Sequence, residues 1–257
     1  MTWGKVYLVG AGPGDPKLIT VRGLECIQEA DVVIYDRLAN PALLEHAKSG
    51  AELIYVGKLP KQHTLRQEEI NELLVEKAKQ GFTVTRLKGG DPAVFGRVGE
   101  EAARLNKAGV SFEVVPGVTA GIAAPMYAGI PVTHREHSSS FAMITGHLHK
   151  DNYEEEKWQA YAKGIDTLIF YMGVQNLTYI CDQLIKHGKK ETTPAALIEW
   201  GTMPKQRTVT GTLETLVSRA TEESITHPAI IIVGDVVNLR ETTKWFAEHE
   251  RSILGTS

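Results

Sequence analysis

The sequence predicts an α/β protein made of two α/β domains with mainly parallel sheets. Short β-branched runs alternate with stretches whose apolar residues recur at helical spacing. The strand runs are nearly continuous in apolar residues, as they are when both faces of a sheet are covered. The pattern changes character at Pro116-Gly117, where a small-residue stretch, Ala120 to Ala128, precedes the polar run His134–Ser140 and a new strand. The divisions expected from this are an N-terminal α/β domain over 1–115, a linking helix and loop over 116–137, a C-terminal α/β domain over 138–242 and a polar, loosely held tail over 243–257.

In chain order, strands are expected at Val6–Val9, Val32–Tyr35, Glu52–Val56, Thr83–Leu87 and Phe112–Val115, then at Ala142–Thr145, Thr167–Tyr171, Ala196–Glu199, Arg207–Thr210 and Ala229–Val233. Helices are expected at Leu18–Glu29, Gln67–Gln80, Glu100–Ala108, Thr119–Ala128, Asn176–His187 and Leu213–Ala220. Gln67-Glu68-Glu69 places acidic residues at a helix start and Gly81 closes that helix, as the dipole and the C-terminal geometry favour. Glu154-Glu155-Glu156 and Lys189-Lys190 read as solvated helix ends.

A chain of 257 residues is long enough to bury a large core, and 42% hydrophobic with 23% charged residues is ordinary for a globular protein. A net charge of −3 argues against a general nucleic-acid binder. Cys26 and Cys181 match no metal spacing, and Cys26 lies in a helical pattern as a core residue. The histidines, His147 and His149 included, lack helical metal spacing, so no metal is expected. No uncharged apolar stretch could span a bilayer, and Met1–Leu8 shows no basic-then-apolar leader; a cytoplasmic protein that meets no membrane is the expectation.

The most informative segment is Val6–Pro16, an apolar strand that runs into Gly10-Ala11-Gly12-Pro13-Gly14-Asp15-Pro16. Such a turn brings bare backbone N–H groups up to a nucleotide-like ligand. A dinucleotide loop counted from Gly10 would need its third glycine at position 15, where Asp15 would repel a pyrophosphate. The loop therefore suits a nucleoside ligand without phosphates, of which S-adenosylmethionine is the commonest cofactor; the plain alternative is a tight turn with no ligand.

Arg86-Leu87-Lys88-Gly89-Gly90-Asp91-Pro92 is a second glycine loop directly after a strand. Asp91 could accept from a ribose or an ammonium group, or cap its own turn. In Pro116–Ala120, Thr119 caps the next helix or turns its hydroxyl to the ligand. Asp36 ends a strand, where an acid in a dinucleotide fold grips a ribose. Beside Arg37, and with Lys58 at the end of the next strand, it could instead orient or deprotonate a ring nitrogen. Lys58 alone reads as a solvated loop lysine. Arg37, Lys58, Lys61, His63, Arg66, Arg86, Arg97, His134 and Arg135 all fall at expected loop ends. Around one cleft they would suit a polyanion, since guanidinium forks match carboxylates.

GAGPGDP (Gly10–Pro16), YDRL (Tyr35–Leu38), VGK (Val56–Lys58), RLKGGDPAVFGR (Arg86–Arg97), PGVTAGIAAP (Pro116–Pro125), GIPVTHR (Gly129–Arg135), FYMG (Phe170–Gly173) and PAIIIVG (Pro228–Gly234) occur in this order. Each is a weak signal, but their order and spacing are specific. Together, from the first strand to about Val237, they resemble the tetrapyrrole methylase family, and within it the stand-alone uroporphyrinogen-III C-methyltransferases. The resemblance implies a two-domain α/β methylase, usually a homodimer, with its active site in the interdomain cleft. It implies transfer of two methyl groups from S-adenosylmethionine to ring carbons of uroporphyrinogen III. The product would be precorrin-2, by way of precorrin-1, leading to sirohaem or cobalamin.

Carried over by motif, Pro13, Gly89, Gly90, Asp91, Val94, Thr119, Ala120, Met172, Gly201 and Ala229 would line the cofactor site. Asp36 corresponds to the family's proton acceptor and Lys58 to its proton donor, while Arg37, Arg86 and Arg97 are the candidates for the substrate's carboxylates. Val98 departs from the family, whose members often carry glycine after FGR. Three competing readings are a related methylase acting on a later corrin precursor, an RNA ribose or a diphthamide intermediate, a nucleotide-dependent oxidoreductase, and a non-catalytic cofactor sensor. Asp15 and the second glycine loop count against the oxidoreductase; the presence of both Asp36 and Lys58 counts against the sensor.

Overall fold

Two five-stranded sheets organise the chain in the computed structural model, which describes residues 3–57, 65–147 and 154–248. They belong to two units, residues 1–120 and 121–257.

The first unit runs β1 (Val6–Gly10), α1 (Val21–Glu29), β2 (Val32–Tyr35), β3 (Glu52–Tyr55), α2 (Gln67–Lys79), β4 (Val84–Lys88), α3 (Val98–Lys107) and β5 (Phe112–Val115). The sheet order is β3-β2-β4-β1-β5, and every pairing in it is parallel. Side chains alternate across the sheet: Val6 and Leu8 pack with Leu74 of α2 and Leu105 of α3, whereas Tyr7 and Val9 pack with Cys26 and Ile27 of α1. Covering both faces makes β1 and β2 continuous apolar runs, worth about 1.5–3 kcal/mol per fully buried aliphatic side chain. The helix expected from Leu18 instead begins at Val21: Thr20 caps α1, its hydroxyl accepting the Gly23 N–H at 3.0 Å, and Pro16–Leu18 forms a separate 3-10 turn capped by Asp15.

This order positions a site. The chain leaves β1 toward β2 by way of α1 on one face, and leaves β4 toward β5 by way of α3 on the other. β1 and β4 are neighbours, so their carboxyl ends form a switch point where loops diverge and open a crevice. Both glycine loops emerge there.

The second unit contains most of α4 (Ala120–Tyr127), then β6 (Phe141–Thr145), α5 (Glu154–Gly164), β7 (Thr167–Tyr171), α6 (Leu177–Lys186), β8 (Pro194–Glu199), β9 (Arg207–Thr212), α7 (Leu216–Glu222), β10 (Ala229–Val233) and α8 (Arg240–Thr243). Its order is β6-β7-β10-β8-β9, with β6–β7 parallel and the other three pairings antiparallel. Most pairings over the two sheets are thus parallel, but the parallel arrangement belongs chiefly to the first. Residues 200–206, between β8 and β9, are too few for a parallel crossover, which takes about a dozen.

The structure draws two of the expected divisions differently. The small-residue helix expected as a linker is part of the second unit, because Ala124 and its neighbours pack there against Gly201. Residues 243–248 of the expected loose tail are tied down: Trp245 Nε1 donates to Met126 O at 3.0 Å and its ring lies 4.8 Å from that of Tyr127, while Glu248 pairs with Arg240 at 2.7 Å. Glu155 and Glu156 are exposed at the start of α5, as expected of a solvated helix end, and beyond them Trp158 and Ala162, one turn apart, bury against Phe170 and Leu184.

Candidate functional site

The first two glycine loops are zipped together at the ends of β1 and β4. Ala11 N–H donates to Lys88 O at 2.7 Å, Gly90 N–H to Gly12 O at 2.6 Å and Gly12 N–H to Gly90 O at 3.2 Å. The loop after β5 closes onto them. A Cβ at Gly10 would lie 2.6 Å from the Gly117 nitrogen, so backbone packs on backbone where no side chain fits. Gly90 is different: its φ is +70°, and a Cβ there would find only Ala120 N at 3.8 Å and Thr119 Cα at 3.9 Å. Open space therefore lies beside Gly90, bounded by Thr119 and Ala120.

Asp91 joins these loops. Its Oδ2 accepts the Gly117 N–H at 3.0 Å and its Oδ1 the Ala93 N–H at 2.8 Å. It therefore acts first as a tie between segments, and each oxygen retains a lone pair for a further donor. Asp15 is occupied as a cap, taking the Lys17 N–H at 2.9 Å, and Asn40 steadies the first loop by donating to Gly14 O at 2.7 Å. Pro13 and Val94 are half-buried on these loops. The polar groups of these loops are backbone N–H donors and carbonyl and carboxylate acceptors, with no Lys or Arg in Gly10–Asp15 or Gly89–Val94. That composition fits a nucleoside bearing positive charge, such as the sulfonium and ammonium of S-adenosylmethionine, better than a phosphate.

Asp36 follows β2, with its side chain 27% exposed. Its Oδ1 takes the Leu38 N–H at 3.0 Å and its Oδ2 takes Arg86 Nη2 at 3.0 Å. Arg86 departs from expectation. It is 4% exposed on β4, and its guanidinium also reaches Glu101 at 3.4 Å and Leu87 O at 2.9 Å. A fork already engaged inside the sheet is not free for a substrate carboxylate. Arg97 has φ 58° and pairs twice with Glu100, at 2.8 and 2.7 Å, on the surface. Such an exposed pair is worth about 0–1 kcal/mol, so the fork is easily released to a better partner. Arg37 is exposed. Lys58, Lys61, His63 and His149 lie outside the described residues.

The second unit carries the other expected residues. Met172 follows β7 with φ 55° and is 44% exposed; Ala229 opens β10 opposite Glu199. Gly201 stands between Trp200 and Thr202, both with positive φ, and a Cβ on it would overlap Ala124 Cβ. Non-glycine residues held in this region cost on the order of 1–3 kcal/mol each and mark loops whose shape is imposed. The Tyr171 hydroxyl accepts the Gly121 N–H at 2.6 Å and anchors the start of α4 to β7.

Sequence reasoning missed Glu101 and Lys88. Glu101 is fully buried, and its Oε1 accepts from Lys88 at 2.9 Å and Gln67 at 3.3 Å as well as from Arg86. Burial, and then the nearby Arg86 charge, push the Lys88 ammonium below its ordinary pKa, against the pull of Glu101. The signal was available: Arg86 and Lys88 alternate with Thr85 and Leu87 in a strand covered on both faces, so two cations had to be buried and paired.

Among the described residues no cluster of His, Cys, Asp and Glu could hold a metal ion, and no helix is long and apolar enough to cross a membrane.

Comparison with known proteins gives one consistent result. Residues 5–217 match the family model of the Tetrapyrrole (Corrin/Porphyrin) Methylases. The chain is 64% identical over 235 residues to a uroporphyrinogen-III C-methyltransferase of Priestia megaterium, covering 91% of this chain and 99% of that one. Its fold is similar to a solved uroporphyrin-III C-methyl transferase of Thermus thermophilus complexed with S-adenyl homocysteine: TM-score 0.76, 39% identity, 92% of this chain and all of that one covered. A solved cobalt precorrin-4 methyltransferase of cobalamin biosynthesis aligns with TM-score 0.81 at 29% identity, over 91% of this chain and 95% of that one.

Proposed function

Because the chain belongs to the tetrapyrrole methylases, we propose that it transfers two methyl groups from S-adenosylmethionine to ring carbons of uroporphyrinogen III. The product is precorrin-2, formed by way of precorrin-1, and it feeds sirohaem or cobalamin synthesis. The observation that carries this reading is the 64% identity to the Priestia megaterium enzyme over nearly the whole of both chains. The fold alone would not choose a substrate, since the cobalt precorrin-4 enzyme aligns at least as well in space but at 29% identity.

In this reading Pro13, Gly89, Gly90, Asp91, Val94, Thr119 and Ala120 hold the cofactor, and Met172, Gly201 and Ala229 are assigned to it by motif. Bound there, S-adenosylmethionine supplies an electrophilic methyl group. The space beside Gly90 admits the ligand against bare backbone, and Asp91 has lone pairs free for its donors. Attack by an electron-rich pyrrole carbon puts positive charge on the ring nitrogen, and Asp36 stabilises that charge and takes the proton. Lys58 is the proton donor. Arg37 and Arg97 receive substrate carboxylates; Arg86 does not, and works behind Asp36 instead.

The enzyme works as a homodimer in the cytoplasm, where the two buried, unpaired cysteines suit a reducing compartment. No metal takes part. Incubating the metal-stripped protein with S-adenosylmethionine and uroporphyrinogen III tests the whole reading: the product should gain the mass of two methyl groups and show the absorption of precorrin-2. Methyl transfer to a later corrin precursor but not to uroporphyrinogen III would overturn the substrate assignment. Sedimentation of the same sample reads the dimer.

A further inference from the structure

The β2–β4 register places Ile34 beside Arg86 and Tyr35 beside Leu87, so Asp36 emerges next to the strand that carries Arg86. Arg86 and Lys88 point to the sheet face covered by α2 and α3, where Glu101, in the first turn of α3, meets both. Two cations and two carboxylates thus form one chain, Lys88–Glu101–Arg86–Asp36, with only its last member partly exposed. Each outlet of the guanidinium is engaged. Nε faces Glu101, Nη1 donates to Leu87 O and reaches Ile34 O at 3.5 Å, and Nη2 is left for Asp36.

We infer that Glu101 is a positioning residue for methyl transfer: its buried carboxylate fixes the Arg86 guanidinium, which in turn fixes the Asp36 carboxylate for the substrate. The inference rests on the reading of Asp36 as the group at the ring nitrogen. Both Asp36 oxygens are held, one by the Leu38 N–H and one by Arg86, so its orientation is set before any ligand arrives. Glu101 keeps Oε2 without a hydrogen-bond partner among the described residues, which leaves all of its hydrogen bonding on the oxygen that faces Arg86, Lys88 and Gln67.

The test is a double-mutant cycle on the full chain with Asp36→Asn, Glu101→Gln and the pair together. The readouts are single-turnover methyl transfer to uroporphyrinogen III at saturation and affinity for S-adenosylhomocysteine. Asp36→Asn should slow transfer about a hundred- to ten-thousand-fold, the usual share of a placed base. Glu101→Gln, acting only through Arg86, should slow it on the order of ten- to a hundredfold through misplacement, with cofactor affinity unchanged. In the Asp36→Asn background, Glu101→Gln should cost nothing further. Equal losses in both backgrounds, or a normal rate in Glu101→Gln beside a slow Asp36→Asn, would overturn this inference alone. A normal rate in Asp36→Asn would overturn the reading of Asp36 and this inference with it. If Glu101→Gln fails to fold because two buried cations are left with one carboxylate, Glu101→Gln with Lys88→Met keeps the charges balanced and enters the same cycle.

Discussion

Asp91 Oδ2 accepts the backbone N–H of Gly117 at 3.0 Å, and this contact ties the loop after β4 to the loop after β5. Without it the Gly117 N–H, partly buried against Gly10, loses its acceptor. Asp91→Ala should cost about 1–3 kcal/mol, the usual penalty of an unsatisfied buried donor. Asp91→Asn keeps one carbonyl oxygen and should recover part of the loss. Denaturant unfolding measures the stability, and calorimetry with S-adenosylhomocysteine should show a weaker site in both variants.

Gly10 and Gly90 should respond differently to alanine. At Gly10 the new methyl would lie 2.6 Å from backbone, so Gly10→Ala should fold poorly. At Gly90 the space is open and the penalty is the left-handed backbone, about 1–2 kcal/mol. Gly90→Ala should therefore fold, and Gly90→Val should put a larger side chain where the cofactor is proposed to lie and weaken its binding severely. Unchanged affinity in a folded Gly90→Val would remove this loop from the site.

The two arginines should separate cleanly. Removing Arg86 takes the ion-pair partner from Asp36 and one of two from buried Glu101, which keeps Lys88 at 2.9 Å; breaking a buried ion pair costs about 3–5 kcal/mol, so Arg86→Ala should lower both thermal stability and turnover. Arg97→Ala removes an exposed pair worth about 1 kcal/mol or less, so its melting point should barely move while the KM for uroporphyrinogen III rises. Steady-state kinetics with each substrate varied in turn reads the difference.

Glu113 on β5 predicts an acid-sensitive element. Hydrogen bonds from Arg22 of α1 and then from Lys5 lower its pKa from 4.5 to about 2. A carboxyl with a depressed folded pKa contributes stability above its unfolded value and loses it as pH falls through the folded one. The contribution should be complete above about pH 5, fade from there downward and be gone below about pH 2. Because the side chain is 35% exposed, the effect is screened, and added salt should reduce it. In Glu113→Gln, the denaturant midpoint should fall less steeply with acid than in the wild type.

The glycine loops were legible in the sequence because their signal is local: an apolar strand, then residues without side chains where backbone must approach backbone. The same holds for the position of Asp36 at the end of β2. The partners of Asp36 were not legible. Arg86 lies fifty positions away along the chain, and the β2–β4 pairing that makes them neighbours skips β3. Read as a loop-end cation, Arg86 looked free for substrate; as the inward residue of a covered strand it is buried and committed. The one-turn spacing of Trp158 and Ala162 in α5 was hidden by charged neighbours until β7 and α6 supplied the surface it packs on.

The sequence by itself determined which segments become strands and helices in the first unit, where its glycine loops fall, and the family to which the chain belongs. These follow from periodicity, from backbone freedom and from an ordered set of motifs, all readable along one dimension. Only the tertiary structure decided strand order, the antiparallel pairings of the second sheet, the docking of residues 243–248 onto α4 and the charge chain from Lys88 to Asp36. Each of these depends on which distant residues share a buried space. The cost of leaving a charge or a backbone N–H unpaired there selects partners that no local pattern encodes.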